Sequence, residues 1–210
     1  MKKSVKYILI VLVIALVGYK SVYFKKLSEI KNAGDKKFDA AAWSKKLWDE
    51  KLPARLDSAI ELTTLIDKIQ TNPGDAFDRY TYAMSIGNYR YALVKAQVFV
   101  EKIEPDDIKV HLLTNVDTIV PLIIATEYIY GNAVRDASGL VDIRDFTNTT
   151  DLNNISEELN KMIRRSVLPP IKSGIKVGDK IEVTAAVELN KEHISFKELE
   201  LIPLRVKTLQ

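Results

Sequence analysis

Apolar and polar residues alternate with a period of two through much of the second half of the chain. The alternation covers residues 92–100, 108–112, 181–189 and 194–201, and residues 118–130 form a long apolar stretch. Such alternation places one face of a segment against a core and is typical of β-strands. We therefore predict five strands, the third carrying Pro121 at an edge or bulge and the fifth bulged near residues 197–198.

Helical spacing dominates the segments that lack this alternation. Residues 38–86 repeat apolar side chains every three or four positions, with breaks at Pro53 and at residues 72–74. Asp75 is a candidate cap for a third short helix that runs through Met84. Residues 151–168 form a further amphipathic pattern, which Pro169 and Pro170 are expected to end.

The order of these elements predicts an α+β fold. Three strands, a helix and two strands match a five-stranded antiparallel OB-like β-barrel with a helix between strands three and four. An open antiparallel sheet with helices on one face is the alternative. We divide the chain into an anchor or uncleaved signal (1–24), a polar stalk (25–37), a helical subdomain (38–88) and the barrel domain (89–210).

The N-terminal segment indicates where the protein works. A basic head, residues 1–6, precedes an apolar run, residues 7–19, and Lys20 follows as a residue able to snorkel. Extended to residue 24, the segment is long enough to cross a thin bilayer, whereas a cleaved signal peptide is the alternative. We predict a single-pass protein of the bacterial inner membrane with its C-terminal domain in the periplasm or outside.

Charge and cysteine content exclude several classes of function. Residues 1–31 hold seven of the 31 Lys and Arg and one of the 28 Asp and Glu, which leaves 24 basic and 27 acidic groups in the remainder. A mildly acidic domain is the opposite of a nucleic-acid binder. The sequence has no cysteine, so disulfides, thiolate metal sites and a cysteine nucleophile are excluded.

The long connection after the third predicted strand is richest in candidate site residues. We single out six of them: Gly131, Arg135, Asp136, Asp145, Phe146 and Asn148. In one interpretation Arg135 clamps an anion and Asp136 orients it. In the other, Arg135 and Asp136 form an ion pair that staples the loop to the barrel, while Asp145 and Asn148 serve as turn and helix caps.

The remaining candidates favour structural roles. The tyrosines at 80, 82, 89 and 91 are interpreted as a packed joint rather than a stacking surface, and the two tryptophans, Trp43 and Trp48, as helix core. His111 and His193 each lack a second ligand at metal spacing. No phosphate-binding glycine loop or catalytic motif is present, so we predict no metal, no cofactor and no enzymatic activity.

The loop residues also carry a resemblance to a family. Gly131, Ala133 and Arg135-Asp136-Ala137, followed by residues 145–148 (Asp-Phe-Thr-Asn), resemble the bacterial predicted periplasmic lipoproteins of unknown function that are often found near sugar-import transporters. Weaker similarities are found in residues 38–49, at Asn160 and in the Pro203 and Val206 pair. Where the family has a lipidated cysteine, this chain has Tyr19.

The resemblance implies a barrel-like periplasmic domain and a link to solute uptake, and it supplies no catalytic mechanism. Our first hypothesis is a membrane-tethered binding or accessory domain that contacts a sugar transporter component. The alternative is an envelope protein that binds oligosaccharides or small ligands on the barrel face without a protein partner. That alternative needs exposed aromatic side chains, for which Tyr128 and Tyr130 are the candidates.

Overall fold

The computed structural model describes residues 4, 5, 7, 8, 10–14, 38–84, 86–113 and 120–209. The chain divides into two compact units, Met1–Phe38 and Asp39–Gln210. In the first unit the described residues between 4 and 14 are helical. The predicted stalk and most of the predicted anchor lie outside the described residues.

Within the residues that the structure describes, no helix is both long enough and apolar enough to cross a membrane. The boundary predicted between residues 88 and 89 falls inside the second unit and stays a prediction.

The second unit combines helices with one sheet. The α-helices are α1 (Ala40–Lys46), α2 (Leu52–Asp57), α3 (Leu62–Thr71), α4 (Pro73–Tyr80), α5 (Ala133–Ala137), α6 (Thr149–Met162) and α7 (Leu168–Gly174). The strands are β1 (Ile60–Glu61), β2 (Tyr89–Ile103), β3 (Asp107–Leu112), β4 (Pro121–Ala125), β5 (Lys180–Asn190) and β6 (Leu199–Thr208). A 3₁₀ turn covers Ile143–Asp145, and π-helical turns cover Leu47–Lys51 and Ile163–Val167.

The five longer strands pair in a closed ring. The sheet order is β1-β2-β3-β4-β6-β5, and β5 also pairs with β2, so each of these five strands is hydrogen-bonded on both sides. The α+β class and the helical connection between the third and fourth of these strands are therefore confirmed. The wholly antiparallel sheet is wrong, because β4 and β6 run parallel. The long helical connection after β4 lets the β5–β6 pair return with β6 in the direction of β4.

The ring interior is built from the alternating side chains that the sequence pattern predicted. On β2 the inward residues run from Ala92 to Val100, and on β5 from Ile181 to Leu189, all nearly inaccessible to solvent. The outward face of β2 is also buried at Tyr91 and Leu93. Helix α5 packs on β2 and β5, so this part of the ring has an apolar layer on both faces.

The chain N-terminal to β2 covers the edge of β2 that β3 leaves open. β1 pairs in parallel with Val94 and Lys95, and the backbone N–H and C=O groups of Tyr82 and Tyr91 bond to each other. Leu113 N–H donates to the Gln97 carbonyl at 2.8 Å. An uncovered strand edge is a site of unwanted pairing, and these contacts remove it.

Two prolines lie inside continuous helical segments because a π-helical turn precedes each of them. The turn at Leu47–Lys51 precedes Pro53, and the turn at Ile163–Val167 precedes Pro169. A proline lacks the N–H group and its ring collides with the carbonyl four residues earlier, which a wider turn avoids. The prediction that Pro169 and Pro170 end the helix is therefore wrong, since α7 continues to Gly174.

Element ends differ from the prediction at several other points. β4 ends at Ala125, so Tyr128 and Tyr130 lie in the following loop rather than in a strand. β6 begins at Leu199, directly after Glu198, whose φ of 56° interrupts the extended backbone. The cap of α4 is Asn72 and not Asp75: the Asn72 side chain accepts a hydrogen bond from the Asp75 N–H. α4 also ends at Tyr80, short of Met84.

Because the ring interior is close-packed, we expect Leu201→Ala to lower the free energy of unfolding by about 2–5 kcal/mol. Leu201 is 0% exposed inside the ring, whereas Val177, the control position, is 62% exposed. Val177→Ala is expected to change stability by no more than about 0.5 kcal/mol. Urea denaturation followed by circular dichroism measures both values, and equal effects at the two positions would contradict this description of the core.

Candidate functional site

Arg135 and Asp136 form a buried ion pair on α5. Their side chains are 8% and 3% exposed, and Arg135 Nε donates to Asp136 Oδ1 at 2.6 Å. Arg135 Nη1 also donates to the Leu152 carbonyl on α6 at 3.2 Å. Asn132 Nδ2 donates to Asp136 Oδ2. The pair thus binds α5 to α6 and faces neighbouring protein groups, which is the geometry of a structural brace.

Helix α6 and the π-helical turn that follows it hold the loop that leads into α5. Asn160 Nδ2 donates to the Gly131 carbonyl at 2.9 Å, and Arg164 Nη1 donates to the Ile129 carbonyl. Gly131 has a φ of 76°, a left-handed conformation that glycine adopts without strain. The loop that contains Tyr130 is therefore fixed at both of its flanking carbonyl groups.

The other candidate residues of this connection lie at the surface. Asp145 and Asn148 are exposed, and Phe146 is half-buried against Trp43, with ring centroids 5.6 Å apart. Asn148 caps α6, because its Oδ1 accepts a hydrogen bond from the Asp151 N–H at 2.9 Å. Of the six singled-out residues, Arg135 and Asp136 are buried, Phe146 is half-buried, and the other three are exposed. Their binding or structural role stays a prediction.

Tyr82, which lies before β2, contacts both α2 and the residues that follow α5. Arg55 Nη2 donates to the Tyr82 hydroxyl at 2.9 Å, and Arg55 Nε donates to the Ser138 carbonyl at 2.9 Å. A Cβ atom at Gly139 would lie 2.7 Å from the Tyr82 ring, and its φ is 61°. Glycine is needed there both for its backbone conformation and for the close approach of the ring.

A cleft opens beside this brace, between the loop before α5 and the segment that enters β6. We call it the Tyr130 cleft. Its volume is about 360 Å³, within the range of about 300–1,000 Å³ typical of small-molecule sites. Its lining residues are Tyr130, Gly131, Asn132, Ala133, Glu188, Ser195, Lys197, Glu198, Leu199, Glu200 and Ile202.

The cleft has an excess of negative charge, with three glutamates against one lysine. Partial burial of the Glu200 carboxyl raises its pKa, and the nearby Glu188 and Asp107 carboxylates add to this effect. Behind the cleft, burial raises the pKa of Tyr91 to about 12, and the negative charge of Glu188 contributes. Tyr91 and Glu188 are direct partners in the antiparallel register of β2 and β5.

Aromatic side chains stand at the cleft entrance. Tyr128 and Tyr130 are 63% and 62% exposed, and their ring centroids lie 6.5 Å apart. The Arg164 guanidinium lies 5.5 Å from the centroid of the Tyr130 ring. Exposed tyrosine rings with a polar edge are well suited to stack on a ligand that has both apolar and hydroxyl faces.

The histidines take separate positions. His111 stacks on Phe99 with ring centroids 5.3 Å apart, and its Nδ1 lies 3.4 Å from a Glu101 carboxylate oxygen. His193 is exposed in the β5–β6 connection. Across the described part of the chain, no group of three or more His, Asp or Glu side chains is placed to hold a metal ion.

Sequence patterns do not indicate that Glu188 and Glu200 belong to a site, because each is an ordinary polar position in the pattern of a strand. The two glutamates meet because β5 and β6 are neighbours in the sheet. The alternation of polar and apolar residues indicates which side chains point outward from a strand. It does not indicate which side chains of other strands lie beside them.

Comparison with known proteins places the chain among relatives of unknown function. A family model described as "Predicted periplasmic lipoprotein (DUF2291)" matches residues 12–207. The crystal structure of an OB-fold protein from Thermotoga maritima is similar, with 24% sequence identity and a TM-score of 0.71. The alignment covers 83% of this chain and 100% of that one, which supports the fold. No curated protein matches the sequence.

Because Arg135 is buried against Asp136, Arg135→Ala is expected to destabilise the protein by about 3–5 kcal/mol, the cost of leaving a buried charge unpaired. Arg144 is the control, since its ion pair with Asp142 is exposed. We expect Arg144→Ala to cost less than about 1 kcal/mol. Chemical denaturation measures both values. A well-folded Arg135→Ala variant of unchanged stability would show that the pair does not brace the fold.

Proposed function

The chain belongs to the family of predicted periplasmic lipoproteins, and from that premise we propose an extracytoplasmic, non-enzymatic ligand-binding domain built on an OB-like barrel. The observation that carries the proposal is the Tyr130 cleft with its exposed aromatic entrance. The ligand that we propose is a neutral sugar or short oligosaccharide. The closed ring of strand pairings supports the description as a barrel.

The cleft offers the two kinds of contact that a sugar needs. Tyr130 supplies a ring face for the apolar C–H surface of a pyranose or furanose. Carboxylates such as Glu188 accept hydrogen bonds from hydroxyl groups, and the amide of Asn132 can both donate and accept. These groups converge on one concave surface, as expected of a small-molecule site.

The net negative charge of the cleft lining limits the kinds of ligand that we propose. Glu188, Glu198 and Glu200 outnumber Lys197 in the lining, so a phosphorylated or carboxylated sugar meets net repulsion at short range. We therefore propose uncharged sugars as ligands and expect anionic sugars to be rejected.

A second candidate function is hydrolysis of a glycosidic bond. One observation favours it: Glu200 has a raised pKa, as a general acid needs, and Glu188 lies near it in the same cleft. We rank it below binding, because Glu188 and Glu200 project from neighbouring strands on one side of the cleft. A hydrolase needs its two carboxylates to flank the scissile bond.

The proposal also includes attachment of the protein to the membrane and contact with a protein partner. The family description supports a location in the cell envelope, and the basic head and apolar run of residues 1–24 support single-pass attachment to the inner membrane. These 210 residues contain no cysteine, so they offer no thiol for lipid attachment. A contact with a sugar transporter component is supported by the family resemblance alone.

We expect the protein to bind at least one sugar in a panel of neutral pentoses, hexoses and their short oligomers, and none of the matching sugar phosphates. Tyr130→Ala should weaken binding by about tenfold, because it removes the stacking face. Tyr89→Ala is the matched control, since Tyr89 is exposed but does not line the cleft. Isothermal titration calorimetry measures the affinities, and chromatography of each mixture shows whether a sugar is cleaved. Equal binding by wild type and Tyr130→Ala would overturn the site assignment.

We also expect the full-length protein to remain in the membrane fraction after a carbonate wash, at the mass of the uncleaved chain. Cross-linking mass spectrometry on these membranes is expected to capture a transport component through lysines of the 39–209 region. Release of a shortened chain by the wash would contradict the anchor. Cross-links only within the protein itself would contradict the partnership while leaving the cleft untouched.

A further inference from the structure

We infer that the ligand of the Tyr130 cleft is a linear neutral oligosaccharide of at least two rings, with one ring in the cleft and the next stacked on Tyr128. Arg164 is the positioning residue that holds the Tyr130 ring. This inference rests on the proposed function and deepens it, because it replaces sugars in general with chains of a stated minimum length. It also assigns a role to Tyr128, whose side chain lies outside the cleft lining.

The loop that carries the two exposed tyrosines is firmly held. Ile129 lies between Tyr128 and Tyr130 and is 0% exposed, so the centre of the loop is anchored in the core. The Ile129 carbonyl accepts a hydrogen bond from Arg164 Nη1, and the carbonyl of residue 131 accepts one from a side chain of α6. A ring on a fixed backbone loses little conformational entropy when a ligand binds, and it is therefore a preorganised stacking surface.

The two rings are close enough to serve one ligand. Their centroids lie 6.5 Å apart and their planes are inclined by 30°. Tyr130 lines the cleft, whereas Tyr128 does not. A single sugar ring inside the cleft therefore contacts Tyr130 alone, and only a ligand that extends out of the cleft reaches Tyr128. Successive rings of a linear oligosaccharide meet this requirement, because each of them presents apolar C–H surface to an aromatic face.

Arg164 fixes the orientation of the Tyr130 ring. Its guanidinium carbon lies 5.5 Å from the ring centroid, within the range of a cation–π contact. Nη1 donates to the Ile129 carbonyl, and Nη2 donates to Glu157 Oε1 at 2.8 Å, so two hydrogen bonds direct the guanidinium. The Glu157 carboxylate also balances the positive charge of Arg164. An uncharged ligand therefore suits this side of the site.

A π-helical turn carries Arg164. The turn covers Ile163–Val167 and directly follows α6. Wide turns of this kind inside helices are frequent at functional sites. Ile163 is 0% exposed and anchors the turn in the core, whereas Arg165 is exposed. The chain thus offers a second arginine on the same turn as a matched control.

The first test is the dependence of affinity on ligand length, measured by isothermal titration calorimetry. The probes are glucose, mannose, galactose and xylose, each with a linear disaccharide and trisaccharide of the same unit. In a series that binds, affinity should rise about fivefold or more from monosaccharide to disaccharide, the effect of one further stacking contact. Tyr128→Ala should abolish this rise and leave monosaccharide affinity within about twofold of the wild type. Tyr89→Ala, at an exposed tyrosine outside the cleft, should retain the rise.

The second test is a double-mutant cycle between Arg164 and Tyr130. Arg164→Gln removes the cation and keeps an amide that can donate to the Ile129 carbonyl. It should weaken binding of the monosaccharide and the disaccharide alike, by about threefold or more. In the Tyr130→Ala background the same substitution should have no further effect, because Arg164 acts through the ring. Arg165→Gln should leave the affinities unchanged in either background.

The outcomes separate the inference from the proposed function. A rise in affinity with length that Tyr128→Ala abolishes supports the inference, whatever the stability of the Arg164 variant. Equal affinity for monosaccharide and disaccharide in the wild type, or a rise that Tyr128→Ala retains, overturns it while the cleft still stands as a sugar site. An Arg164→Gln effect of equal size in both backgrounds overturns the positioning role. If the wild type binds no sugar of any length, the proposed function fails and the inference falls with it.

Discussion

The structure depends on the hydrogen bonding of β2 along both of its edges. One edge pairs with β5 from Tyr89 to Phe99, and the other pairs with β3 from Val98 to Ile103. A strand paired on both sides over such lengths cannot be moved without opening the ring. β1 and Tyr82 complete the edge that β3 leaves, which attaches the N-terminal helices to the same sheet. The outward face of β2 then becomes the floor on which α5 rests.

The position of the Tyr130 cleft depends on this packing of α5 against the outward face of β2. Tyr91 projects outward from β2 under α5, and α5 in turn carries the Arg135–Asp136 pair against α6. Helix α6 and the π-helical turn that follows it also hold the carbonyl groups on either side of Tyr130. The aromatic entrance and the carboxylate wall are therefore fixed by different elements, the loop by α6 and the wall by the sheet. Preorganisation of both sides lowers the entropic cost of binding a small ligand.

Local sequence patterns predicted those strands and helices whose formation depends on their own residues. They failed where contacts between segments that are distant in the chain determine the structure. Alternation located β2 and β5, because one face of each strand meets the ring interior. The parallel pairing of β4 with β6 could not be read from either strand, since it depends on the path of the connection between them. The two prolines of α7 were misjudged because a π-helical turn, which has no sequence signature in the pattern, makes room for them.

The candidate site likewise has features that the sequence predicts and features that it does not predict. The cluster of Gly131, Arg135 and Asp136 was recognisable from its composition, but its burial was not, because the covering surface comes from α6 and the sheet. From the sequence, Arg135 and Asp136 can form either a ligand clamp or a structural brace, and the burial of the pair favours the brace. Glu188 carried no signal of its own, since an exposed glutamate in a strand is the ordinary solvent-facing residue.

We propose that the Tyr130 cleft binds a neutral sugar. A crystal structure of the protein with its tightest-binding neutral sugar tests this proposal most directly. We expect the sugar ring to lie on the face of Tyr130, with a hydroxyl within hydrogen-bonding distance of the Glu188 carboxylate. A sugar bound instead on the outer face of β3 and β4, near His111, would contradict it.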